Sequence, residues 1–416
     1  MRISKKSILF ATLGALALLF ATSCKKDKVV TSFDLNITLD ESSFEQGVPS
    51  PAKYSVSFTN TNTGVVTNIE SVGKNVSVKS LVGGVYDITA TAQQSIYNYI
   101  ATAKDVTINS GEAIKNLEVK VTRASTLIFK ELYYIGSKSG KVYLKDNFFE
   151  IYNNGNADVY LDGLAIATTS NYSAATVNFA NDKGNLVDLE GKDTGLKADD
   201  YLVINGSNSV AWQIPGNGTQ CLLKPGESII IASQAIDHTK ACDKSIDLSA
   251  AEFETVADKY ITHGQVDNEK SINLTLVNPL GQNLINWYMP SAMSAGFVLF
   301  ILDEAPDALP SVTNVLAPNS KYKVIKRSKI LDAVNWVKND TEKPFLPADL
   351  DAGKIYCSGG TGVGKSIMRK VKESAENGRK IYKDSNNTSE DFEVSEKPVI
   401  RRGGAAVPSW SQASAK

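Results

Sequence analysis

The sequence contains few of the residues that most often carry catalysis or hold metals. Its 416 residues include 4 cysteines and 2 histidines, and neither a CxxC nor an HxxxH spacing occurs. The GxSxG turn of serine hydrolases is also missing. Lysine and arginine number 44 against 45 aspartates and glutamates, so there is no basic excess for nucleic acid. These absences argue against a metalloenzyme, a serine hydrolase or a nucleic-acid-binding protein, and they predict no cofactor.

Residues 1–23 have the organisation of a signal peptide. A positively charged start precedes an apolar run at 8–21, which is shorter than the ~20 residues that span a membrane. Small residues then lead to Cys24. This arrangement resembles bacterial lipoprotein signals, in which the cysteine thiol receives a diacylglycerol, cleavage follows Ser23, and the new amino group is acylated. An ordinary signal peptide followed by a coincidental cysteine is the alternative.

The lipoprotein resemblance implies a mature chain that begins at Cys24 and is anchored to a membrane by its N-terminal lipid. Residues 24–30 would form the lipidated tether. The signal peptide contains three basic residues and no acidic ones, so its removal leaves 41 basic against 45 acidic residues. Asp27 is the single acid of the tether, so this segment does not decide between periplasmic and cell-surface display at the outer membrane.

Three cysteines remain in the mature chain. The cell envelope is oxidising and permits disulfides. Cys221 and Cys242 are the favoured candidates for a bridge, and buried free thiols are the alternative.

Residues 31–122 alternate apolar and polar side chains in short runs, which predicts an antiparallel β-sandwich. Asn60–Gly64 and Asn109–Gly111 are turn signals between these runs. The stretch SLVGGVYDITATA, which begins at Ser80, resembles the corner of carboxypeptidase-regulatory-like and other Ig-like modules. Such modules usually serve as spacers or docking units.

A second domain is predicted at 125–400. It opens with STLIFKELYYIG, and KDNFFEIYNNGNADVYLDGLAIA follows at 145–167. The alternation around an Asn-rich centre predicts a hairpin with a polar tip. This stretch also resembles the lamin tail domain, an Ig-like sandwich. The residues that carry the resemblance are Phe149, Glu150, Ile151, Asn153 and Leu161–Gly163.

Further landmarks of the lamin tail follow in the expected order. They are LKPGESIIIA at 223–232, Ser366–Arg369, DSNNTSEDF at 384–392, and Pro398. Long inserts separate the landmarks, roughly 50 residues before the PGES turn and more than 100 after it. The expected fold is therefore mainly β, with two antiparallel Ig-like sandwiches, the second lamin-tail-like with long inserts. Residues 401–416 are predicted to be a frayed tail.

The whole mature chain also resembles an uncharacterised Bacteroidota lipoprotein family known as a domain of unknown function. The lipoprotein signal, the N-terminal sandwich, PGESIIIASQAIDH and DLSAAEFE at 247–254 carry this resemblance. It implies a location in the envelope and no particular activity.

One motif points to a different class of protein. GGTGVGKS at 359–366 fits the phosphate-binding loop G-x-x-x-x-G-K-[ST], and the apolar run Phe297–Glu304 ends in two carboxylates like a magnesium-binding strand. In nucleotide hydrolases that strand follows the loop, whereas here it precedes the loop. An envelope lipoprotein also meets little ATP. We therefore interpret 359–366 as a glycine-rich turn and Phe297–Glu304 as a core strand, and we predict no nucleotide ligand.

Other candidates for chemistry are isolated. His238 lies close in sequence to Cys242, as a Cys–His hydrolase would need, but a surface turn is the default expectation for this histidine. His263 is expected in another turn. Asp199–Asp200 and Asp303–Glu304 are expected at solvated loop ends. The Asn/Asp-rich segments 181–185 and 384–387 are candidates for calcium but lack EF-hand spacing.

Trp212, Trp287 and Trp336 each have an amide side chain nearby in sequence. Aromatic faces flanked by amides suit sugar binding, whereas buried tryptophans with a bonded indole are the commoner arrangement.

The leading functional hypothesis is a non-catalytic lipoprotein of the cell envelope that binds or docks a partner. An outer-membrane receptor of the TonB-dependent kind is a candidate partner, and a glycan or peptide is a candidate ligand. An envelope hydrolase or carbohydrate-binding protein that uses the inserts is the first alternative. A structural or adhesin component is the second.

Overall fold

The computed structural model describes residues 31–44, 48–94, 97–123, 126–204, 211–257, 264–277 and 294–411. The signal peptide and tether, including Cys24, lie outside the described residues, as does Trp287. In the described part of the chain, regular structure is almost entirely β-strand, and it is divided between two domains. No helix in that part is long and apolar enough to cross a membrane.

The first domain is the predicted sandwich at 31–122. Its strands are β1 (Ser32–Asp40), β2 (Lys53–Asn60), β3 (Val66–Val72), β4 (Asn75–Val82), β5 (Gly84–Gln94), β6 (Tyr97–Ile108), β7 (Asn116–Glu118) and β8 (Lys120–Arg123). One sheet has the order β4-β1-β7 and the other β3-β2-β5-β6-β8. The period-2 pattern explains the core, because Tyr54, Val56 and Phe58 on β2 all point inward and are fully buried.

Polar side chains form the turns of this domain. Asn60 ends β2, and its Oδ1 accepts hydrogen bonds from the amides of Asn62 and Thr63 at 3.0 Å each, so the predicted hairpin at 60–64 is confirmed. In the SLVGGVY stretch, the Tyr86 hydroxyl donates back to the Val82 carbonyl at 2.8 Å. That bond closes the corner between β4 and β5, where the sequence resembles the corner of Ig-like modules.

The second domain contains the remaining strands. These are β9 (Leu127–Tyr133), β10 (Ser137–Ser139), β11 (Lys141–Tyr143), β12 (Phe148–Asn153), β13 (Val159–Tyr160), β14 (Leu164–Thr168), β15 (Asn185–Val187), β16 (Asp193–Lys197), β17 (Tyr201–Ile204), β18 (Ala211–Gln213), β19 (Leu222–Leu223), β20 (Ser228–Ala232), β21 (Phe253–Glu254), β22 (Ile272–Asn273), β23 (Thr275–Val277), β24 (Ala295–Ile301), β25 (Ser311–Asn314), β26 (Ala317–Lys326), β27 (Ile330–Trp336), β28 (Ser366–Arg369), β29 (Val371–Ser374), β30 (Lys380–Tyr382) and β31 (Phe392–Ser395). Short helical turns lie at Ala198–Asp200, His238–Lys240, Pro306–Ala308, Arg327–Lys329 and Thr388–Asp391.

Two large sheets face each other across the main core of this domain. The seven-stranded sheet has the order β22-β21-β20-β12-β9-β28-β31, and the five-stranded sheet has the order β23-β18-β14-β24-β27. Phe129 and Phe149 of the first sheet meet Phe297 of the second in this core. The apolar run Phe297–Glu304 is therefore a core strand with its carboxylates at the exit, as predicted.

The predicted hairpin around 153–156 is wrong. β12 pairs with β9 and β20, whereas β14 pairs with β18 and β24 in the opposite sheet, so the intervening chain crosses between sheets. Asn153 directs this crossing, because its Nδ2 donates to the Ala157 and Leu223 carbonyls, both at 2.9 Å. Every residue of β12 and β14 is buried, which a two-stranded hairpin with one solvated face would not require.

The long inserts fold into a small additional layer. β17, β26 and β25 form a three-stranded sheet, and β15 and β16 form a hairpin beside it. Phe179, Val312 and Val324 belong to a separate apolar cluster beneath these strands. The inserts thus carry a core of their own instead of lengthening loops of the main sandwich.

Arg369, the last residue of β28, links the two large sheets. Its Nη2 lies 2.6 Å from the carboxylate of Asp332 on β27, and its Nε donates to the Phe129 carbonyl on β9 at 2.9 Å. The same Asp332 carboxylate accepts the Phe129 amide at 2.7 Å. One guanidinium and one carboxylate therefore hold β9, β27 and β28 together.

Two further aspartates complete this network. Asp384 and Asp391 lie 3.2 and 3.5 Å from Arg369 Nη1, and the guanidinium lies 4.5 Å from the ring centroid of Phe392. Burial alone would lower the pKa of Arg369, but the three aspartates outweigh it and raise the pKa above its usual value. The segment DSNNTSEDF is therefore folded around a permanently charged side chain.

The prediction of a frayed C-terminus is wrong for residues 401–411. Trp410 packs edge-on against Phe253 and donates its indole N–H to the Leu222 carbonyl at 2.6 Å. The Ser228 amide donates to the Ala406 carbonyl at 2.9 Å. This segment lacks apolar periodicity, and its partners are distant in sequence, so its local composition did not reveal them.

We expect Arg369→Met to lower the free energy of unfolding by about 3–5 kcal/mol, because it leaves buried carboxylates without their cation. Denaturant unfolding followed by tryptophan fluorescence measures the change. Lys141→Met is the matched control, since Lys141 is exposed on β11, and it should change stability by less than about 0.5 kcal/mol. Equal stability of the two variants would show that the network does not hold the sheets together.

Candidate functional site

A large cleft in the described part of the chain lies between the two domains. It encloses about 930 Å³ and adjoins a second cavity of about 520 Å³ that shares several of its lining residues. β6 and β8 of the first domain form one wall. The turn Ala198–Asp200, β17 and the turn Arg327–Lys329 form the other, so strands and short turns of both domains position the lining side chains.

Charged groups dominate the floor of this interdomain cleft. Asp349 lies 2.5 Å from Arg327 Nη1 and 3.8 Å from Lys120 Nζ, so it joins a cation of each domain. Arg327 also donates from Nε to the Tyr201 carbonyl at 3.1 Å. The ion pair between Lys120 and Asp349 directly bridges the two domains at the base of the cleft.

The rim of the cleft carries charges without such tight pairing. Asp199 and Asp200 are exposed on the turn before β17, and Lys326 is exposed at the end of β26. The three cations and three carboxylates that line the larger cavity balance in number. A cleft with balanced charges and many hydrogen-bonding groups suits a polar ligand of low net charge.

Aromatic surface lies in the adjoining cavity. Tyr172 and Phe179 stand against each other there, with ring centroids 5.8 Å apart. The Tyr172 hydroxyl accepts the Val203 amide at 2.7 Å, and burial raises the pKa of Tyr172 to about 12. This phenol therefore stays protonated and orients a hydrogen-bonding group beside an apolar ring.

His238 is buried, so the expected surface turn is wrong. It begins a short helical turn, and its Nδ1 lies 2.8 Å from the Tyr143 hydroxyl while its Nε2 lies 2.9 Å from the Gln234 carbonyl. The carbonyl can only accept, so Nε2 carries the proton and Nδ1 accepts from Tyr143. Both ring nitrogens are thus occupied, and the imidazole is not paired with Cys242.

Cys242 belongs to a different hydrogen-bonded group. The Ser137 hydroxyl lies 3.2 Å from Cys242 Sγ and 2.8 Å from the Asp146 carboxylate, which also accepts from Tyr133 and Ser245 at 3.0 and 2.5 Å. Asp146 is fully buried at the entry to β12. This carboxylate orders three hydroxyls around the start of the strand, and the thiol is a neighbour of that group without a base to activate it.

The favoured Cys221–Cys242 disulfide is not formed, and the alternative of buried free thiols is what the structure shows. The Cys221 amide donates to Asp162 at 3.0 Å beside β19, whereas Cys242 lies by Ser137, so the two residues have different surroundings. Cys357 is the third buried thiol, and burial raises its pKa to about 12.

The motif GGTGVGKS forms a glycine-rich turn that leads into a strand, as predicted. Its four glycines have φ values between +70° and +100°, which side chains rarely adopt. Ser366 begins β28 and donates its hydroxyl to buried Glu131 at 2.6 Å, while Lys365 pairs with exposed Glu396 at 2.9 Å. A phosphate-binding loop needs a helix after the lysine, and here a strand follows.

The remaining candidates are placed apart from one another. Trp212 and Trp336 are buried in the core and offer no exposed face for a sugar. Asp384, the first residue of the candidate calcium segment 384–387, is buried against Arg369. Across the described ranges, no three His, Cys, Asp or Glu residues are grouped so that they could hold a metal ion. Asp303 pairs with Lys329 at the surface, as expected of a loop end. His263 lies outside the described residues.

Sequence reasoning found Asp199–Asp200 but did not connect them with the rest of the cleft. Lys120, Arg327 and Asp349 come from distant parts of the chain and belong to no motif. Charged residues just before and after short turns were the only available signal, and many surface turns share it.

The sheets and the two main apolar cores define a two-domain β-sandwich protein. Residues 224–399 match a family described as "Protein of unknown function (DUF4876)". The chain is similar to a crystal structure of a DUF4876 family protein from Bacteroides thetaiotaomicron VPI-5482, with 27% sequence identity and a TM-score of 0.58. That similarity covers 91% of this chain and 99% of the other.

The family match and the similar crystal structure confirm the predicted resemblance to a Bacteroidota family of unknown function. None of the curated proteins matches the chain. The matched residues 224–399 begin at the PGES turn and include the glycine-rich turn and Arg369.

We expect the His238 imidazole to titrate below the usual value for histidine, since burial lowers its pKa. Because the folded pKa lies below the unfolded value of about 6.5, the stability that His238 contributes is present above that pH and is lost as the pH falls. An NMR titration of the imidazole signals, assigned with the His263→Gln variant, should give a midpoint below 6.5 for His238. A midpoint at or above that value would contradict the buried, neutral arrangement.

Proposed function

We propose that this protein is a non-catalytic lipoprotein of the cell envelope that binds a polar ligand or partner in its interdomain cleft. The observation that supports the proposal most is the cleft itself, which lies between two sandwiches and is lined by balanced charges. The groups considered for catalysis support it as well, because His238 and Cys242 each bond to other neighbours.

The position of the cleft suits reversible binding. The ion pair between Lys120 and Asp349, which bridges the two domains, is a contact of 3.8 Å with Lys120 half exposed. Such a pair contributes little stability, so the domains can adjust around a ligand at small cost. A glycan or an extended peptide of low net charge fits this lining, and an outer-membrane receptor that presents such a segment would be the corresponding partner.

The proposal extends to two resemblances inferred from the sequence, the lamin-tail-like second domain and the lipoprotein signal. The order of β9, β12, β20 and β28 within one sheet brings the lamin-tail landmarks side by side, which supports a lamin-tail-like sandwich. Acylation of Cys24 would hold the start of the first domain close to the membrane surface, because the tether from Cys24 to the first described strand is short.

Lipidation has a direct test. We expect Cys24→Ser to block acylation and cleavage after Ser23, so that intact-mass analysis finds the unprocessed precursor and less protein fractionates with membranes. Ser23→Ala is the control, since it keeps a small residue before the cysteine and should be processed normally. An unchanged mature mass and membrane retention in Cys24→Ser would rule out the lipoprotein assignment.

Binding in the cleft can be tested in the native envelope. A photo-crosslinking amino acid replaces Asp199 at the rim of the cleft in the full-length, lipidated chain, and the same amino acid replaces exposed Asp243, which does not line the cleft, as the control. We expect irradiation to give a discrete adduct from position 199 and none from position 243, because the ligand lies in the cleft. Identical adducts from both positions, or none from position 199, would contradict the proposed site.

A further inference from the structure

The C-terminal residues 396–411, here called the strap, cover the outer face of the seven-stranded sheet. The strap leaves β31 at the edge of the sheet and passes back over the strands to β20 and β21. Its main chain is tied to the sheet by a short parallel bridge in which the Ala406 amide donates to Gly226 at 3.0 Å and the Ser228 amide donates to Ala406 at 2.9 Å. Most of its other contacts involve side chains.

Three buried carboxylates lie beneath the strap. Glu131 on β9, Glu150 on β12 and Glu252 before β21 are each no more than 2% exposed. Lys130 is the cation from the sheet that pairs with them, at 2.8 Å from Glu150. Without the strap, this face would present three carboxylates against one ammonium group, and it is therefore an acidic surface that needs a basic cover.

Two consecutive arginines of the strap supply that cover. Arg402 binds both oxygens of Glu131, from Nε at 3.1 Å and from Nη2 at 3.3 Å. Arg401 binds Glu252 through Nη2 at 2.5 Å and donates its own amide to Glu150 at 3.1 Å. The two-point contact with Glu131 depends on the planar guanidinium, which a lysine cannot reproduce.

Apolar and hydroxyl groups of the strap add to this recognition. Trp410 donates to the Leu222 carbonyl at 2.6 Å, and the Ser411 hydroxyl donates to Glu252 at 2.5 Å. The Val399 amide donates to Glu131 at 2.9 Å. The face under the strap is thus a built site for one extended segment with Arg-Arg at its centre.

We propose that this face is an exchangeable docking site and that it takes the strap of a second copy of the chain as well as its own. Within the described residues, one short parallel bridge at Ala406 pairs the main chain of the strap with the sheet, so its release breaks few backbone hydrogen bonds. An identical segment from a second copy brings the same two arginines to the same carboxylates. Exchange of an identical element between copies is a low-cost route to dimers, because each contact that is lost is formed again between copies.

A labelled peptide of residues 396–411 stands in for the strap of the second copy. In the full-length chain, Arg401→Ala with Arg402→Ala weakens the resident strap. Fluorescence anisotropy should show that this variant binds the peptide at least about tenfold more tightly than the wild-type chain, whose own strap competes at high effective concentration. Lys397→Ala, an exposed substitution in the same strap, is the control and should bind like the wild type.

Two further measurements identify the contacts. A peptide with lysine in place of both arginines should bind at least about tenfold more weakly. Glu131→Gln with Glu252→Gln, added to the strap-weakened chain, should remove binding. Circular dichroism shows whether the double alanine variant is folded. If it is not, the double variant Arg401→Lys with Arg402→Lys, which keeps both charges, is used in its place. The proposal would be overturned if the strap-weakened chain is folded but does not bind the wild-type peptide. It would also be overturned if the lysine peptide binds as tightly as the wild-type peptide.

Discussion

The buried guanidinium of Arg369 is the interaction on which the second domain depends. It lies on one large sheet and reaches Asp332 on the other, so it fixes how the two sheets meet. It also orders the chain at 384–391 through Asp384 and Asp391. Apolar burial between the sheets supplies most of the stability of such a sandwich, but it does not specify one alignment by itself, whereas a charged group with several fixed partners does.

Buried charge recurs on the opposite face of the same sheet, where Glu131, Glu150 and Glu252 are covered by the strap. The seven-stranded sheet therefore has an apolar inner face, an inter-sheet ion network at β28, and an acidic outer face. These three surfaces give the domain little tolerance for a shift in strand register, because a shift of one residue would turn carboxylates into the apolar core. The interdomain cleft lies outside these buried networks and carries exposed charges at its rim, as a binding surface requires.

The sequence predicted the fold class and the sandwich at 31–122 because alternation of apolar residues directly reflects which side of a strand is buried. The lamin-tail resemblance placed landmarks at 223–232 and Ser366–Arg369, which contain β20 and β28, and the glycine-rich turn at 359–366 was expected from its residues. Sequence reasoning failed at 148–168, where the fully buried strands β12 and β14 lie in different sheets, because periodicity does not determine which partner a strand pairs with. It failed at 401–411 for a related reason, since Arg401 and Trp410 are ordered by residues more than a hundred positions away. The cleft was missed because Lys120, Arg327 and Asp349 come together only after both domains have folded.

The central claim is that the Arg369 network joins the two large sheets into one cooperative unit. Native-state hydrogen exchange of the full-length chain, followed by mass spectrometry, tests it most directly. The account predicts that peptides covering β9, β27, β28 and residues 384–392 exchange together, at the rate set by global unfolding. Faster, separate exchange of β27 or of residues 384–392, with β9 and β28 still protected, would show that the sheets open independently and would contradict the claim.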